Sequence, residues 1–262
     1  MHETIIELLK CHFRVTQHVE PDQANGSILD AGSGTGAESI RVMKEFPNLA
    51  VVAIDLCKPM HREFHKNLKA VFGPSFSINS SQRWVLIEGD ILGREGSQDS
   101  LRDFLPVNEQ GTGYKAVITT FTIHHLKAAE KRQAYRQFYD VLEQGGVMIN
   151  GDLFTYQSPD LRAFANDFDV RWIMRQFENP EPQFKEAASI RKAKRRELSK
   201  LWLRHYKRDN ILDAIEGGKE GGNSSSAEPN LRGQAGMLRD IGFRQVGNPF
   251  RFWQVGILWA RK

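Results

Sequence analysis

The first 150 residues alternate between apolar runs of strand length and stretches in which apolar residues recur at helical spacing. The predicted strands are 27–30, 49–54, 84–87, 115–121 and 147–149. The predicted helices between them are 37–46, 59–72, 99–105 and 127–142. Because strands that alternate with helices form β–α–β units, we expect an α/β fold with a doubly wound, mostly parallel sheet.

The pattern changes after residue 152. Residues 155–216 contain no convincing strand and are predicted to be helical, whereas 217–230 are rich in Gly and Ser and predict a flexible loop. A helix over 231–241 and strands over 243–246 and 252–260 follow, with a turn predicted at 247–249. We therefore predict one domain over 1–262, in which 155–216 form a helical lid inserted after the fifth strand.

Composition narrows the class of protein. The 262 residues are 40% apolar and 26% charged, which excludes a disordered, collagen-like or coiled-coil chain. Two cysteines, Cys11 and Cys57, are too few for a disulfide scaffold, and we expect reduced thiols in a cytoplasmic protein. The first residues lack a signal-peptide pattern, and the longest apolar run, 49–54, is too short to span a membrane.

Positive charge is concentrated in one segment. The formal net charge is +4, and residues 184–208 contain ten Lys and Arg against two Glu. Such a segment can contact phosphates or acidic substrates, or it can be the solvated face of a helix. Both interpretations stay open.

A glycine-rich turn follows the first predicted strand. Gly32, Gly34 and Gly36 lie where the chain would pass from strand to helix, and free N–H groups at a helix start can bind negative charge. Asp55, at the end of the second strand, can accept hydrogen bonds from ribose hydroxyls. The pair predicts a nucleoside-containing ligand, although Gly32, Gly34 and Ala37 also fit the dinucleotide fingerprint. The structural alternative is a tight turn that binds nothing.

The order of the motifs resembles class I S-adenosylmethionine-dependent methyltransferases over nearly the whole chain, except 155–230. The matching segments are ILDAGSGTG (28–36), VVAIDL (51–56), LIEGDIL (86–92), AVITTFTIHHL (116–126), LEQGGVMINGDLF (142–154) and DIGFRQV (240–246). IHHL followed by GGV and GD resembles the branch that acts mostly on small molecules. The resemblance implies a Rossmann-like sheet of seven strands that ends in an antiparallel hairpin.

The resemblance also implies S-adenosylmethionine as the cofactor, S-adenosylhomocysteine as the product, and a set of binding residues. Asp30 would lie near the cofactor's amino group, and the glycine turn would surround its methionine part. Asp55 would hold the ribose and Asp90 the adenine amine. The implied cofactor-binding residues are Asp30, Gly32, Ser33, Gly34, Gly36, Asp55, Leu56, Met60, Asp90, Ile91, Thr120 and Phe121.

Three polar residues after strands four and five are candidates for catalysis. A sulfonium methyl group is already activated, so the enzyme mainly holds the acceptor in line with it. If the acceptor must lose a proton, His124, His125 or Asp152 could take it. Each also has a structural interpretation, since one of two adjacent histidines usually points into the fold and Asp152 could cap a helix. Two adjacent histidines and a distant aspartate are a poor metal set, so we expect no metal.

The predicted lid supplies the candidate substrate residues, Trp172, Arg191 and Arg195. On a helix through Phe184, the two arginines fall on the apolar stripe, where a guanidinium needs an anionic partner. That partner is either an internal acid, such as Asp167 or Asp169, or an anionic substrate under the lid.

We therefore predict a methyltransferase that transfers a methyl group to O, N, S or C of a small molecule. The first alternative is an RNA methyltransferase that uses the basic segment, although TTFT after strand four does not resemble the NPPY-like tetrad of amine methylation. A non-catalytic binding module and a sulfonium-dependent cyclisation are the others. We expect no membrane association, and the oligomeric state stays open.

Overall fold

The protein is described from a computed structural model, which covers part of the chain. It describes residues 1–76, 84–93, 101–105, 113–154, 156, 158, 160–161, 164, 230–252 and 254–262. Trp172, Arg191, Arg195 and the basic segment lie outside these residues, as do nearly all of the predicted lid and loop. The chain divides into Met1–Phe154 with Glu228–Lys262 and a second unit, Thr155–Ala227. All the helices and strands named below belong to the first unit, and the single-domain interpretation stays a prediction.

The first unit contains these helices and strands. The helices are α1 (His2–Gln17), α2 (Ala37–Glu45), α3 (Lys58–Phe72), α4 (Leu101–Phe104), α5 (Ala128–Val141) and α6 (Leu231–Ile241), with a 3-10 turn at Ile123–His125. The strands are β1 (Gly26–Ala31), β2 (Leu49–Asp55), β3 (Trp84–Glu88), β4 (Tyr114–Thr120), β5 (Leu142–Leu153), β6 (Gln245–Phe252) and β7 (Val255–Arg261). None of the helices within the described ranges is long and apolar enough to cross a membrane.

The strands form one seven-stranded sheet in the order β3-β2-β1-β4-β5-β7-β6. β1 to β5 are parallel, and β7 is antiparallel to both of its neighbours. This confirms the predicted mostly parallel α/β sheet with an antiparallel terminal hairpin. The strand order reverses between β1 and β4, and α/β sheets bind ligands at the carboxyl ends of the strands beside such a point.

Helices cover both faces of the sheet. Successive residues of a strand point to opposite faces, so Ile28 packs with the core under α1, α2 and α3, while Leu29 packs with the core under α4, α5 and α6. Burial on both faces explains why the strands read as continuous apolar runs rather than as alternating ones.

Helix α1 has no counterpart among the predicted elements. Its buried residues include Ile5, Leu9 and Phe13, which lie one helical turn apart and face the sheet. Ile5 and Met1 pack over Gly151 of β5, where an added Cβ would lie 2.9 Å from Ile5 Cδ1 and 3.0 Å from Met1 Sδ. The start of α1 therefore lies at the carboxyl end of the sheet, where ligands bind.

The predicted position of the hairpin turn is wrong. Strand β6 continues through 247–249, and its register with β7 shifts between Gly247 and Phe250. Asn248 Nδ2 donates to the carbonyl of Ile257 at 2.6 Å, so Asn248 belongs to the ladder. Pro249 is tolerated because β6 is an edge strand. The Gly-Asn-Pro sequence makes an irregularity in a strand, not the turn between two strands.

Strand β5 begins earlier than predicted, at Leu142 rather than at residue 147. Gly145 and Gly146, predicted to cap the preceding helix, lie within this strand. The register between β4 and β5 shifts between Tyr114 and Ala116, which accommodates the extra residues.

Candidate functional site

A cavity of about 660 Å³ lies at the carboxyl ends of β1 to β4. Its walls come from the turn after β1, the residues after β2, β3 and β4, and the start of α1. Its position is the one at which α/β sheets bind ligands, and its size is that of a small-molecule site.

The glycine turn forms one wall of the cavity. Gly32, Ser33 and Gly34 line it, and Gly32 has a positive φ of 76°. A Cβ added at Gly32 would lie 2.3 Å from the side chain of Thr122, so the β4 exit can approach the turn only because residue 32 is glycine. Gly36, also at positive φ, is not on the wall. A Cβ there would lie 2.1 Å from the ring of Phe64, so Gly36 lets α2 pack against α3.

Asp55 connects the end of β2 to the glycine turn. Its Oδ2 accepts a hydrogen bond from the Gly34 N–H at 2.8 Å, and its Oδ1 accepts one from the Cys57 N–H at 2.8 Å. Each oxygen keeps a second lone pair that can take a ligand hydroxyl. Leu56, 67% exposed, and Met60 line the cavity beside it. Exposed apolar side chains at a cavity mouth suit the flat face of a base.

Asp90 and Ile91 form the wall after β3. Asp90 Oδ1 accepts a hydrogen bond from the Leu92 N–H at 2.9 Å, which fixes the carboxylate in the turn that follows the strand. Its other oxygen is not used by this bond.

The exit of β4 carries a strained residue. Phe121 has a φ of 48°, is 41% exposed and lines the cavity with Thr120. Its N–H donates to the carbonyl of Gly151 at 2.9 Å, which holds the backbone in this conformation. A bulky residue at positive φ costs free energy and is found most often at functional sites.

The adjacent histidines face different surroundings. Asp152, 1% exposed, accepts a hydrogen bond from the His124 N–H at 2.9 Å, and its other oxygen lies 2.6 Å from His124 Nδ1. Neither Asp152 nor His124 is on the cavity wall, whereas His125 is. The two imidazole rings lie 3.9 Å apart between centroids. Of the three catalytic candidates, the structure brings His125 to the cavity and places the other two behind it.

Asp30 lies beneath the glycine turn and not on the cavity wall. Its Oδ2 accepts hydrogen bonds from Ser39 Oγ at 2.6 Å and from the Ser39 N–H at 3.2 Å. Its Oδ1 has no hydrogen-bond partner. Burial raises the pKa of Asp30 to about 7, against the lowering effect of the Ser39 bonds.

The structure adds residues that the sequence analysis does not assign to the site. Glu38, in the first turn of α2, and His2, at the start of α1, both line the cavity. Their side chains pair through His2 Nδ1 and Glu38 Oε1. Thr122 and Cys57 line it too. An acid directly after a glycine turn was a visible signal for Glu38, but His2 could be found only by recognising α1 as a helix.

The described residues of the cavity wall carry a distinct set of charges. They include three carboxylates, Glu38, Asp55 and Asp90, and neither Lys nor Arg. Phosphate sites in proteins are built from Arg, Lys or free backbone N–H groups, so this wall fits a ligand with hydroxyls and a positive charge better than a dinucleotide. Within the described part of the chain, no cluster of His, Cys, Asp and Glu could hold a metal ion.

Ser33 gives a further indication of a polar ligand. Its hydroxyl oxygen is buried and has no hydrogen-bond partner, although the residue lines the cavity. Buried polar groups are rarely unsatisfied, so such an atom at a cavity wall calls for a partner.

Comparisons with known proteins support the fold. No protein-family model and no curated protein matches the sequence. Among solved structures, an O-methyltransferase family protein from Burkholderia thailandensis has a TM-score of 0.53 at 14% identity, covering 100% of this chain and 58% of that one. DszA carbon methyltransferase has a TM-score of 0.55 at 12% identity, covering 100% and 53%.

A third neighbour is magnesium protoporphyrin IX methyltransferase of Synechocystis PCC 6803, solved with bound S-adenosylmethionine. Its TM-score is 0.51 at 13% identity, with 100% of this chain and 79% of that one covered. The chain spans just under 60% of the length of the first two neighbours that match it. Its fold is the Rossmann-like fold of class I methyltransferases.

Proposed function

We propose that this chain is an S-adenosylmethionine-dependent methyltransferase that acts on a small-molecule acceptor. The observation that carries the proposal is the row of carboxylates along one cavity at the switch point of the sheet. Asp55 is placed to hold ribose hydroxyls, and Asp90 to accept from an adenine amine. Glu38 and the other carboxylates suit a ligand that bears a sulfonium and an ammonium group.

The dinucleotide alternative is less well supported. The classic dinucleotide-binding sheet has the order 3-2-1-4-5-6, whereas here an antiparallel strand, β7, lies between β5 and β6. The three neighbours described above are methyltransferases, and one carries S-adenosylmethionine. The identities of 12–14% support the fold, and the activity is inferred from the cavity.

The proposed reaction needs little from the protein beyond positioning. The bound cofactor supplies an activated methyl group, and an acceptor atom displaces it in line. Phe121, at the β4 exit, and the glycine turn would orient the donor, because both line the same cavity. The exposed apolar surfaces of Leu56 and Phe121 would exclude water from the bound ligand.

His125 is the proposed proton acceptor when the substrate atom carries a proton. It lines the cavity, while the bonds between His124 and Asp152 fix the 3-10 turn that carries it. A neutral imidazole suits this role near pH 7. The carboxylate of Asp152 acts through His124 and is therefore a positioning group.

The first test is a calorimetric titration with S-adenosylmethionine, S-adenosylhomocysteine and NAD. We expect binding of the first two and no binding of NAD. Binding of NAD alone would return the glycine turn to the dinucleotide interpretation. If none binds, the cofactor proposal fails and the binding-module alternative takes its place.

The ribose assignment has a direct mutational test. Asp55→Ala should weaken S-adenosylhomocysteine binding by about 2–3 kcal/mol, because hydrogen bonds to a charged group are lost. The measurement is the dissociation constant by calorimetry. Glu88→Ala is the matched control, since Glu88 pairs in register with Asp55 on β3 but is exposed, bonds to Lys58 and does not line the cavity. Equal affinities of the wild type and Asp55→Ala would remove Asp55 from the site.

The basic segment favours one second candidate, an RNA methyltransferase. Its ten Lys and Arg would give strong binding to RNA that falls steeply with salt. A filter-binding titration of RNA at increasing salt decides between the two acceptor classes. Absence of salt-dependent binding favours a small molecule.

A further inference from the structure

The pair formed by His2 and Glu38 joins two elements at one end of the cavity. Glu38 lies in the first turn of α2, directly after the glycine turn, and is 3% exposed. His2 lies at the start of α1 and bonds to it through Nδ1. Both residues line the cavity, 36 residues apart in the chain.

A carboxylate as buried as Glu38 is stable only with partners that offset its loss of hydration. His2 supplies one such partner. The N-terminal end of α2 supplies another, since the helix dipole favours negative charge there. These interactions keep Glu38 ionised and fix its position, which are the properties of a site for a cationic group.

The other carboxylates of the region are already assigned or turned away. Asp55 and Asp90 lie at the ends of β2 and β3, where the sugar and the base are placed under the proposed function. Asp30, which the family resemblance assigns to the cofactor's amino group, lies beneath the turn and bonds to Ser39. Glu38 is thus the carboxylate that faces the same cavity from the helix side of the glycine turn.

We infer that Glu38, positioned by His2, binds the α-ammonium group of the cofactor's amino-acid end. This inference rests on the proposed function. The interaction is a charge-assisted hydrogen bond from the ammonium N–H to the carboxylate, with no covalent step. His2 is a positioning residue, and through it α1 becomes part of the cofactor site. The assignment moves the ammonium contact from Asp30 to Glu38.

The test compares two ligands that differ only at the amino-acid end. S-adenosylhomocysteine carries the ammonium and carboxylate groups, and 5′-methylthioadenosine lacks both. Glu38→Gln should weaken binding of S-adenosylhomocysteine by at least about tenfold, as expected for the loss of a charged hydrogen-bond partner. Binding of 5′-methylthioadenosine should stay within about twofold of the wild type, because that ligand never reaches Glu38. Its retained binding also shows that the variant folds.

Two further variants sharpen the comparison. Glu45→Gln changes an exposed acid on the same helix that bonds to Lys10 and does not line this cavity, so both affinities should match the wild type. His2→Gln should weaken S-adenosylhomocysteine binding less than Glu38→Gln does, and again leave 5′-methylthioadenosine unaffected.

Three outcomes would overturn the inference. Equal losses for both ligands in Glu38→Gln would make the pair structural. Unchanged binding of S-adenosylhomocysteine would place the ammonium elsewhere, and a selective loss in Asp30→Asn alone would return it to Asp30. Failure of the proposed function looks different, because the wild-type protein would then bind neither ligand, and the inference would fall with it.

Discussion

Asp30 shows how one residue can carry a cost of function in its protonation state. It is buried beneath the glycine turn, with one oxygen bonded to Ser39 and the other without a partner. Burial raises the pKa of Asp30 from 3.8 to about 7. The folded protein therefore holds a proton on Asp30 at pH values at which the unfolded chain has lost it.

This difference predicts how stability depends on pH. Between about pH 4 and pH 7 the folded state binds more protons than the unfolded state at this site, so its contribution to the free energy of unfolding falls as pH rises and is constant above that range. Asp30→Asn cannot titrate and lacks this loss. The unfolding free energy of the wild type minus that of the variant should therefore decrease from pH 4 to pH 7 in urea melts. A constant difference would show that Asp30 titrates normally.

At the scale of residues, the sequence predicted contacts that are local and missed those between distant segments. Asp55 was found because an acid at the end of a second strand lies beside a glycine turn in any such unit. The pairing of Glu38 with His2 depends on how α1 packs over β5, which no local pattern specifies. The same limit explains why the two adjacent histidines could not be told apart without the position of Asp152.

At the scale of elements, the pattern located strands better than their ends. The parallel strands have apolar runs because both faces are buried, so β1 to β4 lie where predicted. The edge strand β6 lacks this signal, and its Gly-Asn-Pro sequence is typical of a turn. Pairing with β7 decided its structure, which is a tertiary effect. The apolar residues of α1 had helical spacing, so that helix was predictable in principle.

The link between β5 and the 3-10 turn gives the prediction for this scale. Asp152 accepts hydrogen bonds from the backbone of His124 and of Leu153, the second at 2.8 Å, and lies beside the His124 ring. Asp152→Asn replaces a charged acceptor by a neutral one and should destabilise the protein by about 1–3 kcal/mol. For a domain of this size that lowers Tm by roughly 2–4 °C per kcal/mol.

Thermal melts followed by circular dichroism measure the effect. Asp240→Asn is the control, since Asp240 forms an exposed ion pair with Arg132 at 3.4 Å. Surface pairs of this kind contribute little to stability. If the two variants melt at the same temperature, Asp152 does not hold the turn.

At the scale of the molecule, the strand order came from the resemblance rather than from periodicity. Alternating strands and helices predict a parallel doubly wound sheet, but they do not say that β7 lies between β5 and β6. The conserved order of motifs supplied that point, and the sheet confirms it. The predicted lid and the residues assigned to it, Trp172, Arg191 and Arg195, lie outside the described residues and stay predictions.

The composition of 217–230 leads to a test on the whole molecule. A Gly- and Ser-rich connection adds little to stability, because the entropy of closing a loop changes slowly with its length. Deletion of 218–226 should therefore leave Tm unchanged. A ligand that binds only the folded state adds about 2.7 kcal/mol at a hundred times its dissociation constant. Saturating S-adenosylhomocysteine should thus raise Tm equally in the wild type and the deletion variant. A lower Tm without ligand would show that the segment stabilises the fold, whereas a smaller shift with ligand would show that it contributes to binding.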